Sequence, residues 1–152
     1  MILLADITKE EKEKRSKRGK SSRAAGKRFE ILARRDCESR GYTVCKWSNT
    51  VVFDGDGDGV LSIAKSKYNP FLKRVLSEGS GFPDYIIFKR NKEHPNLFDV
   101  YGLESKKSKY LDAKEKQMCT WYLDNNIFTK IYIAYPIKQG RHTQIVYQQF
   151  ER

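Results

Sequence analysis

The 152-residue sequence has no apolar run close to the roughly 20 residues that a membrane-spanning helix needs. Its opening apolar segment, Met1-Ile2-Leu3-Leu4, is too short for a secretory signal, and acidic residues follow it at once. These absences predict an intracellular protein that works outside the membrane.

Cysteine and histidine are also scarce. Cys37, Cys45 and Cys119 are widely spaced and form no Cys-x-x-Cys pair, and His94 and His142 lie far from all three in the sequence. This spacing argues against a zinc or iron–sulfur site. We expect the three cysteines to be small, buried apolar residues in a reducing compartment.

Positive charge, by contrast, is abundant. The chain has 30 Lys and Arg residues against 19 Asp and Glu, a net charge of +11 and a pI near 9.6. Such a balance favours acidic partners, first nucleic acid and second an anionic membrane surface, although a merely solvated Lys-rich face has the same composition.

The length and the 39% hydrophobic content suit one domain with its own core. Residues 1–20 form a mostly charged arm, either a frayed helix or a disordered segment, which either tracks phosphates or only solubilises the chain. Residues 21–152 form the domain, with an insertion at about 54–80. No internal repeat is visible.

Hydrophobic periodicity predicts the order helix, strand, insertion, strand, strand, helix, strand, strand. The first helix begins at Ser21 or Ser22, runs to about Arg40 and stops at Gly41. This order predicts an α/β fold with a mixed sheet flanked by helices. The remaining predictions are strands at 42–53 (broken near 48–49), 82–89, 97–106, 127–136 and 143–150 (at an edge), and helices at 69–77 and 110–126.

Within the insertion, the run from Asp54 to Leu61 resembles the start of an EF-hand calcium loop, with acids at positions 1, 3 and 5 and Gly at position 6. Position 12, however, is Lys65 instead of the bidentate Glu, and strand-like residues precede Asp54. A Gly-Asp turn is the favoured interpretation, and a calcium-binding regulatory protein is the alternative.

The chemistry-bearing residues cluster between Gly81 and Lys106. Asp84 opens one apolar run, and Glu104 and Lys106 lie two residues apart near the end of the next, so they share a face of a strand. If the two runs pair, all three meet at one end of the sheet. Two carboxylates suit a hard divalent cation, and a nearby Lys can steer a water or stabilise phosphate charge. The alternative is a turn acid after Pro83 and a Glu–Lys pair on a solvated face.

Pro83-Asp84 followed by Glu104-Ser105-Lys106 resembles the signature of the PD-(D/E)XK nuclease superfamily. Glu30, in Gly26-Lys27-Arg28-Phe29-Glu30, is similar to the helix-borne acid that precedes this signature, although spacing alone favours a surface pair with Arg34. Gly41-Tyr42-Thr43-Val44 and Gln117 also match features of the superfamily. The likeness covers about residues 20–136 and is strongest to archaeal Holliday junction resolvases, then to virus-type replication-repair nucleases.

This resemblance implies a restriction-endonuclease-like fold with an αβββαβ core, and a Mg²⁺- or Mn²⁺-dependent DNA endonuclease of recombination or repair. Asp84, Glu104 and the Ser105 backbone carbonyl would bind the metal, and Glu30 would hold a metal water or a second ion. Lys106 would orient the attacking water, and Gln117 would contact that water or the scissile phosphate.

The implied partner is branched or otherwise structured DNA, cut by a homodimer in the cytoplasm or nucleoid. The same fold acting on ends, flaps or single strands is one alternative, and a non-catalytic nucleic-acid-binding protein on a degenerate nuclease fold is another. Basic side chains would hold the phosphates. The candidates are Lys20, Arg23, Lys27, Arg28, Lys73, Arg74, Lys107 and Lys109.

Overall fold

Two helices and nine strands make up the part of the chain that this computed structural model describes, residues 9–71, 73–76 and 81–152. In chain order they are α1 (Lys9–Ser39), β1 (Thr43–Lys46), β2 (Asn49–Phe53), β3 (Gly59–Ile63), β4 (Lys67–Asn69), β5 (Arg74–Leu76), β6 (Tyr85–Arg90), β7 (Phe98–Ser105), α2 (Ala113–Asp124), β8 (Lys130–Gln139) and β9 (His142–Gln149). The predicted order of elements outside the insertion is confirmed.

Five of the strands form one mixed sheet in the order β1-β6-β7-β8-β9. Neighbouring strands are antiparallel except β7 and β8, which are parallel and are joined through α2, as a parallel connection requires. The last strand, β9, lies at an edge as expected. The chain therefore has the predicted α/β fold with a mixed five-stranded sheet and two helices.

A separate hydrophobic core lies on each face of the sheet. On one face, α1 packs Phe29, Ala33 and Cys37 against side chains of β1, β6 and β7. On the other, α2 packs Met118 and Tyr122 against β8 and against β2. Alternation along β7 divides its side chains between these faces. Leu103 belongs to the α1 face, and the side chain of Glu104 therefore points to the α2 face.

Helix α1 is longer than predicted. The expected start at Ser21 or Ser22 is wrong, because the helix is already formed at Lys9, and residues 1–8 of the predicted arm lie outside the described residues. Residues 10–24 are all exposed, and burial begins only where the apolar stripe starts near Ala25. Gly41, at a φ of +85°, ends the helix as predicted, since glycine adopts this left-handed conformation without strain.

The insertion contains two hairpins. The strand predicted at 42–53 is broken at residues 47–48, close to the expected break, and its two parts lie in different sheets, since β1 joins the main sheet and β2 pairs with β3. The predicted helix at 69–77 is wrong, because β4 and β5 form a hairpin there. The side chain of Asn69 accepts the Phe71 N–H at 2.9 Å, and Lys73 has a φ of 45°, so Pro70 belongs to a turn and not to a first helical turn.

The Asp-Gly run forms the turn between β2 and β3, as the favoured interpretation predicted. One carboxylate oxygen of Asp54 accepts the N–H groups of Asp56 and Asp58 at 3.0 and 2.9 Å, and Gly57 takes a φ of +88°. Asp54 therefore caps its own turn.

Two of the three cysteines, Cys37 and Cys119, are buried as expected. Cys45 is exposed, because the inward-facing position of β1 is taken by Val44.

No helix in the described ranges combines the length and the apolar character that crossing a membrane would require.

Candidate active site

Strand pairing brings the two predicted acids together. Tyr85 of β6 pairs with Leu103 of β7, which leaves Asp84 and Glu104 side by side at the same end of the sheet. The Asp84 N–H donates to Glu104 Oε2 at 3.0 Å. In turn, the Ser105 N–H donates to Asp84 Oδ2 at 3.0 Å, and the Ser105 hydroxyl donates to the same oxygen. Both carboxylates are thus fixed by hydrogen bonds to the backbone.

A glycine in β7 makes this close approach possible. A Cβ atom on Gly102 would lie 2.9 Å from Cγ of Pro83, closer than real Cβ contacts. Pro83 therefore packs directly on the β7 backbone, one residue before Asp84. The two halves of the predicted signature, far apart in the sequence, are in contact through this glycine.

Lys106 lies beside the two acids. Its Nζ is 3.3 Å from Glu104 Oε1 and also donates to Glu115 Oε1. Glu115 is in the first turn of α2, where its other oxygen accepts the Asp112 N–H at 2.9 Å in a capping box. Sequence reasoning did not select Glu115, although Asp112-x-x-Glu115 is the pattern of a capping box.

Burial changes the protonation behaviour of these groups. Burial, and then the neighbouring Asp84 charge, raise the pKa of Glu104 to about 8. Burial also raises the pKa of Asp84, in spite of the two hydrogen bonds from Ser105. For Lys106, burial alone would lower the pKa, but the carboxylates of Glu115 and Glu104 outweigh it and raise the pKa above its usual value. Lys106 is therefore shared by Glu104 and Glu115.

A fully buried thiol belongs to the same face. Cys119 of α2 has no exposed surface. Burial first, and then the nearby charges of Glu104 and Glu115, raise the pKa of this thiol to about 12. The thiol group stays protonated and acts as an apolar support for the acids.

Glu30 reaches the site from the other face of the sheet. Its Oε1 is 2.5 Å from Nζ of Lys46, which is in turn 3.8 Å from Asp84 Oδ1. The expected surface pair of Glu30 with Arg34 is wrong, since Arg34 pairs with Glu38 at 2.9 Å.

Sequence reasoning also missed Lys46, which links Glu30 to Asp84. Lys46 ends β1 two residues after the buried Val44, so alternation places it on the same face as a core residue. Its ammonium also lies 4.9 Å from the centre of the Tyr85 ring. A lysine at an inward-facing strand end was the signal that could have identified it.

The acids open into a cleft of about 1050 Å³. The exposed Gln117 lies on its wall. Residues 50–53 and 62–65 of the β2–β3 hairpin also line the cleft; we call these residues the hairpin wall. The other lining residues are Gly81, Phe82, Asp84, Glu104, Lys106, Asp112, Lys114, Glu115 and Met118.

Most of the predicted phosphate-binding residues are exposed. Those on α1 are Lys20, Arg23, Lys27 and Arg28, and those after β7 are Lys107 and Lys109. Lys107 Nζ donates to the Ser22 carbonyl at 3.2 Å, which joins these two basic segments. Lys73 lies apart from them in the β4–β5 turn, and the side chain of Arg74 lies outside the described residues.

Within the described residues, no three His, Cys, Asp or Glu side chains are placed to hold one metal ion. Mg²⁺ does not need three, since it usually binds one or two carboxylates and keeps several waters. Asp84 and Glu104 satisfy that requirement, because they are adjacent and both line the cleft. The donor set therefore fits Mg²⁺ or Mn²⁺.

No protein-family model matches this chain, and neither a curated protein nor a solved structure matches it. The interpretation of the cleft therefore depends on the residues and distances given above.

Proposed function

We propose that this protein is a metal-dependent DNA endonuclease that hydrolyses phosphodiester bonds and selects structured DNA, as Holliday junction resolvases do. The observation that carries the proposal is the buried Glu104 beside Asp84 and Lys106 in an open cleft. A structural salt bridge on a solvated face, the alternative from the sequence, does not fit a buried carboxylate. Like charges placed side by side reduce stability unless a cation offsets them.

The fold supports the same proposal. The elements α1, β1, β6, β7, α2 and β8 follow the αβββαβ order of a restriction-endonuclease-like core. Both parts of the PD-(D/E)XK signature lie at one end of adjacent strands, and the helix-borne acid Glu30 lies near Asp84 through Lys46. The two hairpins are then an insertion between the first and second strands of that core.

Asp84, Glu104 and the Ser105 backbone carbonyl would hold Mg²⁺ or Mn²⁺. Such an ion supplies a bound water of lowered pKa and offsets charge on a phosphate oxygen. Divalent binding would also relieve the repulsion between the two carboxylates, which is a reason for the chain to keep them adjacent.

The other polar residues would orient the reactants. Lys106, fixed between Glu104 and Glu115, presents its ammonium to the attacking water or to the developing charge on the phosphate. Glu30, with Lys46, would hold a further water at the opposite side of Asp84. Gln117 on the cleft wall would contact the scissile phosphate.

The exposed cations of α1 and of the segment after β7 would bind the DNA backbone. These contacts read phosphates and shape, so we propose selection by DNA structure instead of sequence. A homodimer would provide the two symmetric cuts that a four-way junction requires.

A substrate panel tests the proposal. Four-way junction, fork, linear duplex and single strand are incubated with Mg²⁺, with Mn²⁺ or with EDTA. We expect cation-dependent cleavage that is lost in Asp84→Asn and Glu104→Gln, while both variants still bind DNA. Glu38→Gln is the matched control, since this exposed acid pairs with Arg34 in α1, away from the cleft residues. Binding without cleavage under every cation would instead support the non-catalytic alternative.

A further inference from the structure

The β2–β3 hairpin differs from the rest of the chain in charge. Residues 47–64 form the longest stretch of the sequence without Lys or Arg, in a protein of net charge +11. The turn of the hairpin carries three exposed acids, Asp54, Asp56 and Asp58. This part of the molecule therefore repels a phosphate backbone where most of the surface attracts it.

The flanks of the same hairpin are apolar and exposed. Val52 and Ile63 both line the cleft, with 55% and 68% of their surface accessible. They lie on opposite faces of the hairpin, because Val52 pairs with Val60 and Ile63 pairs with Asn49. Val60, which pairs directly with Val52, is 66% exposed. The hairpin wall thus offers apolar surface to whatever enters the cleft next to the acids.

The position of the hairpin is fixed by the core. Val51 is buried, and a Cβ on Gly59 would lie 2.4 Å from Nε1 of Trp121 in α2, so only glycine permits this contact. The Phe82 N–H donates to the Asn49 carbonyl at 2.9 Å, which ties the start of β2 to the segment that carries Asp84. The exposed apolar side chains are therefore held at a constant place relative to the acids.

We propose that the hairpin wall receives unpaired bases, so that the substrate is DNA with single-stranded nucleotides next to the scissile phosphate. This inference rests on the proposed nuclease function and narrows its substrate from structured DNA in general to forks and flaps, in which unpaired nucleotides adjoin a duplex; a fully paired four-way junction would then be a poorer substrate. Paired bases are stacked inside a duplex, and its outer surface is phosphate and sugar. Unpaired bases expose apolar faces, which stack and pack on apolar side chains.

Charge sets the orientation of the bound DNA strand in the cleft. Lys65, at the end of the hairpin wall, and Lys106 and Lys114 supply cations within the cleft. The phosphates follow these cations, and the bases turn toward the hairpin wall, where Val52 on one face and Ile63 on the other would contact different nucleotides. The acidic turn keeps the backbone of the opposite strand away from the hairpin, which separates a fork at its branch point.

Abasic DNA provides the direct test on the wild-type protein. Three substrates of one sequence are compared with Mg²⁺: a fork, the same fork with abasic sites in its unpaired arm, and a full duplex. The abasic arm keeps its phosphates and loses only the bases. We expect the ordinary fork to be cleaved and bound about tenfold better than the abasic fork or the duplex, because roughly 50 Å² of apolar contact corresponds to such a factor.

The double variant Val52→Ser/Ile63→Ser tests the residues. Both positions are exposed, so the fold is retained, which a thermal melt checks. We expect this variant to cleave the fork about tenfold more slowly and to treat the two forks alike. The control Leu97→Ser/Ile137→Ser removes exposed apolar residues that do not line this cleft, and it should keep the wild-type discrimination.

The outcomes separate the two proposals. Cleavage of all three substrates at equal rates, or wild-type discrimination in Val52→Ser/Ile63→Ser, overturns the role of the hairpin wall and leaves the nuclease proposal intact. If none of these substrates is cleaved and the four-way junction of the substrate panel is not cleaved either, the nuclease proposal fails. The equilibrium binding of the two forks then still decides whether the hairpin wall recognises bases.

Discussion

Two Glu–Lys pairs, one from each face of the sheet, meet at Asp84 and differ mainly in burial. The Glu104 side chain is 8% exposed and that of Lys106 25%, whereas Glu30 is 26% and Lys46 44% exposed. The Glu104 pair also has a third member, Glu115, in the first turn of α2.

This difference in burial indicates which pair has the stronger effect on protonation and stability. A buried acid beside another acid loses solvation and gains repulsion, so its protonation depends strongly on nearby cations. A pair closer to solvent is screened by water and contributes little to stability by itself. We therefore expect the Glu104 pair to dominate catalysis and metal binding, and the Glu30 pair to adjust them.

Replacing Glu104 and Glu30 by Gln, one at a time, should give the largest difference in cleavage rate between the two pairs. Glu104→Gln removes a proposed metal ligand, and we expect Mg²⁺-dependent cleavage to fall about 1000-fold or more. Glu30→Gln removes only a carboxylate that reaches the site through Lys46, and we expect a loss of about tenfold. Single-turnover cleavage of a fork at saturating enzyme measures both, and equal losses in the two variants would remove the distinction.

The stability of the metal-free protein should depend on pH through Glu104. Its pKa is raised from 4.5 to about 8 in the folded state, so the folded chain keeps a proton that the unfolded chain has released. The stabilisation is fully present below about pH 4.5 and is lost progressively as the pH rises to about 8, a change on the order of 5 kcal/mol.

Urea unfolding in EDTA at several pH values between 5 and 8 measures this slope. We expect Glu104→Gln to flatten the pH dependence and Glu30→Gln, the matched control, to retain it. Mg²⁺ should also reduce the slope, because it favours the ionised carboxylate. A slope that survives in Glu104→Gln would place its origin in another residue.

Replacing the lysine of each pair should reduce cleavage in the same order as replacing the acids, with the larger loss at Lys106. We expect Lys106→Met to reduce cleavage about 100-fold, because this ammonium faces the reacting groups, and Lys46→Met to reduce it about tenfold. DNA binding measured by fluorescence anisotropy should change little in either variant. A larger effect at Lys46 would mean that the α1 face carries the water-orienting cation.

Much of this arrangement follows from the sequence. Period-two alternation placed Glu104 and Lys106 on one face, and the apolar runs after Asp84 and before Glu104 predicted the pairing that brings the two acids together. These inferences succeed because strand periodicity fixes side-chain direction whatever the surroundings.

The rest depended on tertiary contacts. The helix predicted at 69–77 came from apolar residues spaced three and four apart, a pattern that Pro70 and the left-handed Lys73 override locally. Lys46 was not assigned to the site, because alternation indicates that it faces inward but does not show that it lies beside Glu30 of α1. The exposed hairpin wall was missed for the same reason, since periodicity does not reveal what a strand is docked against.

Glu115 should give the smallest of these effects. Glu115→Gln retains the capping box, because Gln serves at this position as well, and removes only the negative charge that faces Lys106. We expect cleavage to fall about threefold and helix content by circular dichroism to stay unchanged. Glu115→Ala, which also loses the cap, should in addition lower the melting temperature; an unchanged rate in both variants would show that Lys106 needs no such partner.

The fully buried Cys119 gives the protein an internal reporter. A thiol-specific reagent should modify the exposed Cys45 within seconds and reach Cys119 only when α2 separates from the sheet beneath the acids. The lag between the two labelling events, followed by mass spectrometry with and without Mg²⁺, would time the opening of the end of the sheet that carries Asp84 and Glu104.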